Sequence, residues 1–133
     1  MWNILIAEDD PADAEKLIKG LSSIAQCTVA KDGSETIAVY KSAQAKKINF
    51  DFILLDVQIP RVNGFDILKT IRKLEESNRA VSSHESKIIM ITTYKDSLME
   101  NYNMGWDDFM SKPVDITILI NRLKELQLKK ETI

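Results

Sequence analysis

Four stretches of the chain carry groups that can do chemistry together: Glu8-Asp9, Asp56, Thr92 and Lys112. Each closes a segment with strand character. Trp2 to Ala7 ends at Glu8-Asp9, Phe52 to Leu55 ends at Asp56, Ile88 to Ile91 ends at Thr92, and Asp108 to Ser111 ends at Lys112. Three carboxylates brought together are costly without a cation. An oxygen-rich set suits Mg²⁺, a hard ion that keeps several of its waters. Such an ion would also offset the charge of a bound phosphoryl group. A lysine and a hydroxyl can hold the remaining phosphoryl oxygens, and a carboxylate can serve as nucleophile and form an acyl phosphate. Taken singly, each residue has an ordinary role as a solvated acid, a loop-capping Asp, a surface lysine or the end of a strand. Their joint occurrence at strand ends points to a site, because open α/β sheets bind ligands at the carboxyl ends of their strands.

The site exists only if the strands run parallel. Phe52 to Leu55 is apolar without alternation, as suits a strand covered on both faces. Asp10-Pro11 reads as a helix start, with Asp10 as N-cap and Pro11 at the first helical position. Ala14, Leu17, Ile18 and Leu21 follow as the buried stripe of that helix. Cys27 to Ala30 is a second strand. Asp32, with Glu35 three residues on, resembles a capping box before a helix bearing Ile37 and Tyr40. Pro60 and Asn63-Gly64 mark the loop before a third helix with Ile67, Leu68, Ile71 and Leu74 on one face. A polar connection runs from Glu75 to Lys87. Asp96 opens a short fourth helix with Leu98, Met99 and Tyr102, ended by Gly105. The last helix starts near Asp115 and buries Ile116, Leu119, Ile120, Leu123 and Leu126. Five strands alternating with five helices predict one doubly wound α/β domain over residues 1–128, with a frayed tail at 129–133.

Composition excludes several classes. The 133 residues suffice for one ordinary domain, and hydrophobic residues make up 44% of them. A formal net charge of −2 gives no overall pull toward nucleic acid or anionic membrane. The single cysteine, Cys27, rules out an intramolecular disulfide and suits a small core position. Met1-Trp2-Asn3 carries no basic leader, and no apolar run approaches the ~20 residues of a membrane span. A reduced, cytoplasmic setting follows as the default. Neither G-x-G-x-x-G nor G-x-x-x-x-G-K-[ST] occurs, which argues against a nucleotide-binding domain. His84, alone in a polar loop, reads as exposed.

Glu8-Asp9, the run Leu-Leu-Asp-Val-Gln-Ile-Pro-Arg-Val-Asn-Gly around Asp56, Ile-Ile-Met-Ile-Thr-Thr around Thr92, and Lys112-Pro113 after Asp107-Asp108-Phe109 occur in that order. The whole resembles the receiver domain of two-component response regulators, of the single-domain, chemotaxis-regulator-like kind. The resemblance implies a flavodoxin-like sheet of order 2-1-3-4-5. It implies that Asp56 accepts a phosphoryl group from the phosphohistidine of a sensor histidine kinase or phosphotransfer protein. Glu8, Asp9, Asp56 and the backbone carbonyl of Gln58 would hold Mg²⁺, while Thr92 and Lys112 would contact the phosphoryl oxygens. Phe109 would be the aromatic that moves with Thr92, and the Lys112-Pro113 bond would be cis. Such a domain is a phosphoacceptor rather than a turnover enzyme. It acts through contacts with a downstream protein, not directly on nucleic acid or membrane.

Some residues depart from the family pattern or differ from its rivals. The switch aromatic is Phe109 where many relatives carry Tyr, so its inward state needs no polar partner, and it is expected inward before phosphorylation. Trp106 stands where relatives usually carry Ala. Trp106, Phe109 and Tyr102 are expected to form an output surface, with burial of Trp106 in the core as the alternative. A phosphatase of the haloacid dehalogenase type would need a second Asp at position 58, which is Gln. The intact acidic set argues against a receiver that serves only as a scaffold.

Overall fold

The computed structural model describes residues 1–59, 63–93 and 105–131. The elements run β1 (Trp2–Ala7), α1 (Pro11–Leu21), β2 (Ala25–Ala30), α2 (Gly33–Ala45), β3 (Phe52–Asp56), α3 (Gly64–Ser77), β4 (Lys87–Thr92), β5 (Asp108–Ser111) and α4 (Ile116–Glu131). All strands pair in parallel, in the order β2-β1-β3-β4-β5. Side chains alternate across a strand, and this sorts the apolar residues into two layers. Leu5, Ile53, Leu55, Ile88 and Met90 meet Tyr40 of α2 and Ile67, Leu68 and Ile71 of α3. Ile4, Ile6, Phe52, Leu54, Ile89 and Ile91 meet Leu17 and Leu21 of α1 and Leu119 and Leu123 of α4. β3 is buried along its whole length, hence its lack of alternation. Burying each large apolar side chain is worth ~1.5–3 kcal/mol.

Helix starts follow the local chemistry. Asp10 accepts a hydrogen bond from the Ala12 N–H at 3.0 Å, Asp32 from Glu35 N–H at 2.8 Å and Asn63 from Asp66 N–H at 3.0 Å. Asp115 does the same for Ile118 at 3.1 Å. Gly64 is required by close approach: a Cβ there would lie 2.7 Å from the Asp56 carbonyl oxygen and from Val57 Cα.

The structure departs from the sequence pattern in several places. Ile18 is 40% exposed, although it falls on the predicted buried stripe of α1. Glu75 belongs to α3, which runs to Ser77, and it is buried. Arg72 donates to Glu75 Oε1 at 2.7 Å and the Ser86 N–H donates to Glu75 Oε2 at 2.8 Å, so a charged residue closes the core there. His84 is half-buried, its Nε2 2.8 Å from the Phe50 carbonyl oxygen. α4 continues through Lys129 to Glu131, a run of good helix formers. Pro60 and the fourth helix expected around Asp96, Leu98, Met99 and Tyr102 lie outside the described residues.

Candidate functional site

Strand alternation decides which side chains meet. Ile4 and Ile6 face the layer of α1 and α4, so Glu8, two residues on, continues that face. Leu54 leads to Asp56 in the same way, and Met110 leads to Lys112. The three side chains converge at the carboxyl edge. Lys112 Nζ donates to Glu8 Oε1 at 2.6 Å and to Asp56 Oδ2 at 2.9 Å. The Gln58 N–H donates to Asp56 Oδ1 at 2.9 Å. Carboxylate oxygens of Glu8, Asp9 and Asp56 lie within 4.8 Å of one another. Glu8 and Asp56 are buried, whereas Asp9 is exposed.

Burial dominates the electrostatics. It pushes the Glu8 carboxyl up to about 8, with the neighbouring Asp56 adding to the rise and Lys112 opposing it. Burial also acts to raise Asp56, but Glu8, the Lys112 ammonium and the Gln58 N–H outweigh it and hold Asp56 below the usual carboxylate range. Desolvation opposes the charge on Lys112, yet its bonds to Glu8 and Asp56 raise it above the ordinary lysine value. The pair thus favours a proton on Glu8 and an ionised Asp56. Glu8 Oε2 is buried with no hydrogen-bond partner among the described residues. An orphaned buried carboxylate oxygen, beside two further carboxylates, is a fit for a hard divalent cation.

Thr92 and Phe109 occupy the other face. Thr92 continues the face of Met90, toward α2 and α3, and is buried. Its carbonyl accepts from the Lys112 N–H at 2.9 Å, so the backbones of these two predicted site residues are directly paired. Phe109 is the register partner of Met90 and shares that face. Its ring is half-buried against the core and meets Trp106 edge-on, with centroids 5.3 Å apart. Trp106 also packs partly buried against the core, with Nε1 unpartnered among the described residues. The Lys112-Pro113 peptide is cis.

Asp13 joins the site without a signal in the sequence. It sits in the first turn of α1, where an acid reads only as a complement to the helix dipole. Yet Lys112 Nζ reaches its Oδ2 at 3.3 Å. Asp13, Glu8, Asp56, Lys16 and Lys112 line one cleft with Leu17 and Pro113.

The family model of the response regulator receiver domain matches residues 4–124, and the chain belongs to that family. Receiver domains serve two-component signalling and are phosphorylated on an aspartate. Hybrid signal transduction histidine kinase I of Dictyostelium discoideum is 32% identical over 87% of this chain, which spans 7% of that protein. Transcriptional regulatory protein PcoR of Escherichia coli is 29% identical over 95% of this chain, which spans 51% of it. The chain thus covers about half or less of these relatives' lengths. The fold is that of a CheY-like receiver domain from Methanospirillum hungatei, with a TM-score of 0.80 at 24% identity over 99% of this chain and 98% of that one. Response regulator TrrA of Thermotoga maritima, solved with Mg²⁺ and beryllium fluoride, matches with a TM-score of 0.77 at 24% identity, covering 95% of this chain and 99% of that one. Among the described residues, no helix is long and apolar enough to cross a membrane.

Proposed function

We propose that this domain is a Mg²⁺-dependent phosphoacceptor switch, with Asp56 as the acceptor. The phosphodonor is the phosphohistidine of a sensor histidine kinase or phosphotransfer protein, and the output is contact with a downstream protein in the cytoplasm. The observation that carries this is the setting of Asp56: buried, and held by Lys112 and the Gln58 N–H beside two further carboxyl groups.

Glu8, Asp9, Asp56 and the Gln58 carbonyl would hold Mg²⁺, which supplies positive charge against the carboxylates and the phosphoryl oxygens. Asp56 forms an O–P bond as the donor's P–N bond breaks, and the electron pair stays on the departing imidazole nitrogen. Lys112 offers N–H donors to the phosphoryl oxygens, and Thr92 offers its hydroxyl. Both phosphorylation and its reversal are promoted by this same set of residues.

Incubation with Mg²⁺ and a small acyl phosphate is expected to add one phosphoryl mass, read by intact-protein mass spectrometry. Asp56→Asn abolishes the addition. Equal labelling of that variant would move the acceptor elsewhere.

A further inference from the structure

An ammonium group has three N–H donors, and in this structure oxygens of three carboxyl groups take them. Glu8 Oε1 is at 2.6 Å, Asp56 Oδ2 at 2.9 Å and Asp13 Oδ2 at 3.3 Å. The three are not equivalent. The carboxylates of Glu8 and Asp56 are 3% and 5% exposed and lie at strand ends, whereas Asp13 is 44% exposed and lies on α1. Asp13 therefore makes the longest of the three bonds and the one most readily replaced by water. It is nevertheless a placed residue: Asp10 caps α1 through the Ala12 N–H and Pro11 opens the helix, which sets the first turn against the cleft.

We propose that Asp13 is a positioning residue that latches Lys112 in the unphosphorylated state by occupying its third N–H. The proposal rests on Asp56 being the phosphoacceptor. A phosphoryl group arriving on Asp56 needs an N–H from Lys112, and the donor given up at least cost is the one held by Asp13. Asp13 competes with the phosphoryl oxygen for Lys112, so the contact stabilises the resting state and is gone once the phosphoryl group is bound. The transfer itself is unchanged: with a small acyl phosphate, Asp56 gains the O–P bond and the acid leaves with the electron pair of the broken P–O bond.

The consequence is a split between two rates. Asp13→Ala and Asp13→Asn should raise the rate of phosphorylation by acetyl phosphate in Mg²⁺ by about two- to fivefold, the span of a partly exposed ion pair. The lifetime of phospho-Asp56 should stay at the wild-type value, because the latch is already open in that state. Asp13→Glu, which restores a carboxylate, should return the rate toward wild type. In a Lys112→Ala background, Asp13→Ala should add nothing. Wild-type protein that takes no label at Asp56 overturns the phosphoacceptor assignment and the latch with it. Wild-type labelling with no gain in Asp13→Ala and Asp13→Asn overturns the latch alone. A gain that persists without Lys112 also overturns it, since Asp13 would then act by repelling the anionic donor.

Discussion

Lys112 Nζ lies 2.6 Å from Glu8 Oε1, although the two residues are 104 positions apart. The contact spans the whole sheet in sequence and closes it at one edge. It holds a cation where a buried acid would otherwise have only another carboxylate beside it. It does not bring Glu8 into the usual carboxylate range, because burial and Asp56 together outweigh Lys112 and keep the proton on.

That proton makes metal-free stability depend on pH. An acid whose folded pKa is raised, here from 4.5 to about 8, binds more protons folded than unfolded. Stability then falls as pH rises through that window and is fully present below it. A tenfold change in proton affinity is worth about 1.4 kcal/mol, so the loss is on the order of a few kcal/mol by pH 8. Thermal melts in chelator between pH 5 and pH 8.5 are expected to show the decline, and Glu8→Gln is expected to flatten it. A flat profile for the wild type would refute the assignment of the proton to Glu8. Asp56 has the opposite sign, with a lowered value, so its contribution is lost only in acid, below the ordinary carboxylate range.

Cation binding should displace the same proton, since a carboxylate ligand must be deprotonated. Mg²⁺ titration calorimetry near pH 7 in buffers of different ionisation enthalpy is expected to report proton release approaching one per site, and none in Glu8→Gln. Asp9→Ala removes an exposed carboxylate of the trio and is expected to weaken Mg²⁺ at least about tenfold, the lower end of what even outer-shell losses cost. Lys112→Ala should leave Mg²⁺ bound. Wild-type affinity in Asp9→Ala would remove that residue from the ligand set.

Thr92 and Phe109 lie on the same face of the sheet, on neighbouring strands, with Phe109 against Met90 and Thr92 two residues beyond it. Movement of Thr92 toward a phosphoryl group on Asp56 would open space on that face for the Phe109 ring. The two residues are therefore expected to be coupled. In a double-mutant cycle on the response to beryllofluoride, Thr92→Ala and Phe109→Ala should be non-additive by at least about 0.5 kcal/mol. The edge-on contact between Phe109 and Trp106 supplies the readout, with Trp2→Phe leaving one indole to report. Unchanged Trp106 emission on beryllofluoride binding, together with additivity, would uncouple the pair.

Much of this molecule is determined by the sequence alone, where the cause is local. The apolar runs closing at Glu8, Asp56 and Thr92 specify buried strands, since period and burial are properties of consecutive residues. Asp10 and Asp32 announce their helices because a capping side chain reaches only two or three residues along its own backbone. The convergence of Glu8, Asp56 and Lys112 follows from alternation once the strands are parallel, for each extends a buried stripe of the same face by one step.

What tertiary structure decided lies where separate elements stack. Ile18 sits on the helical stripe of α1 but is left at its margin, because helical period marks an apolar arc without saying how wide a neighbour covers it. Glu75 reads as the start of a polar loop and is instead buried, since Arg72 one turn back on α3 and the backbone of Ser86, just before β4, satisfy its oxygens. Asp13 has the sequence of an ordinary first-turn acid. Only the tertiary packing that sets the first turn of α1 and the segment after β5 around one cleft brings Lys112 within 3.3 Å of it, and a contact between residues 99 positions apart has no local pattern from which it could be read.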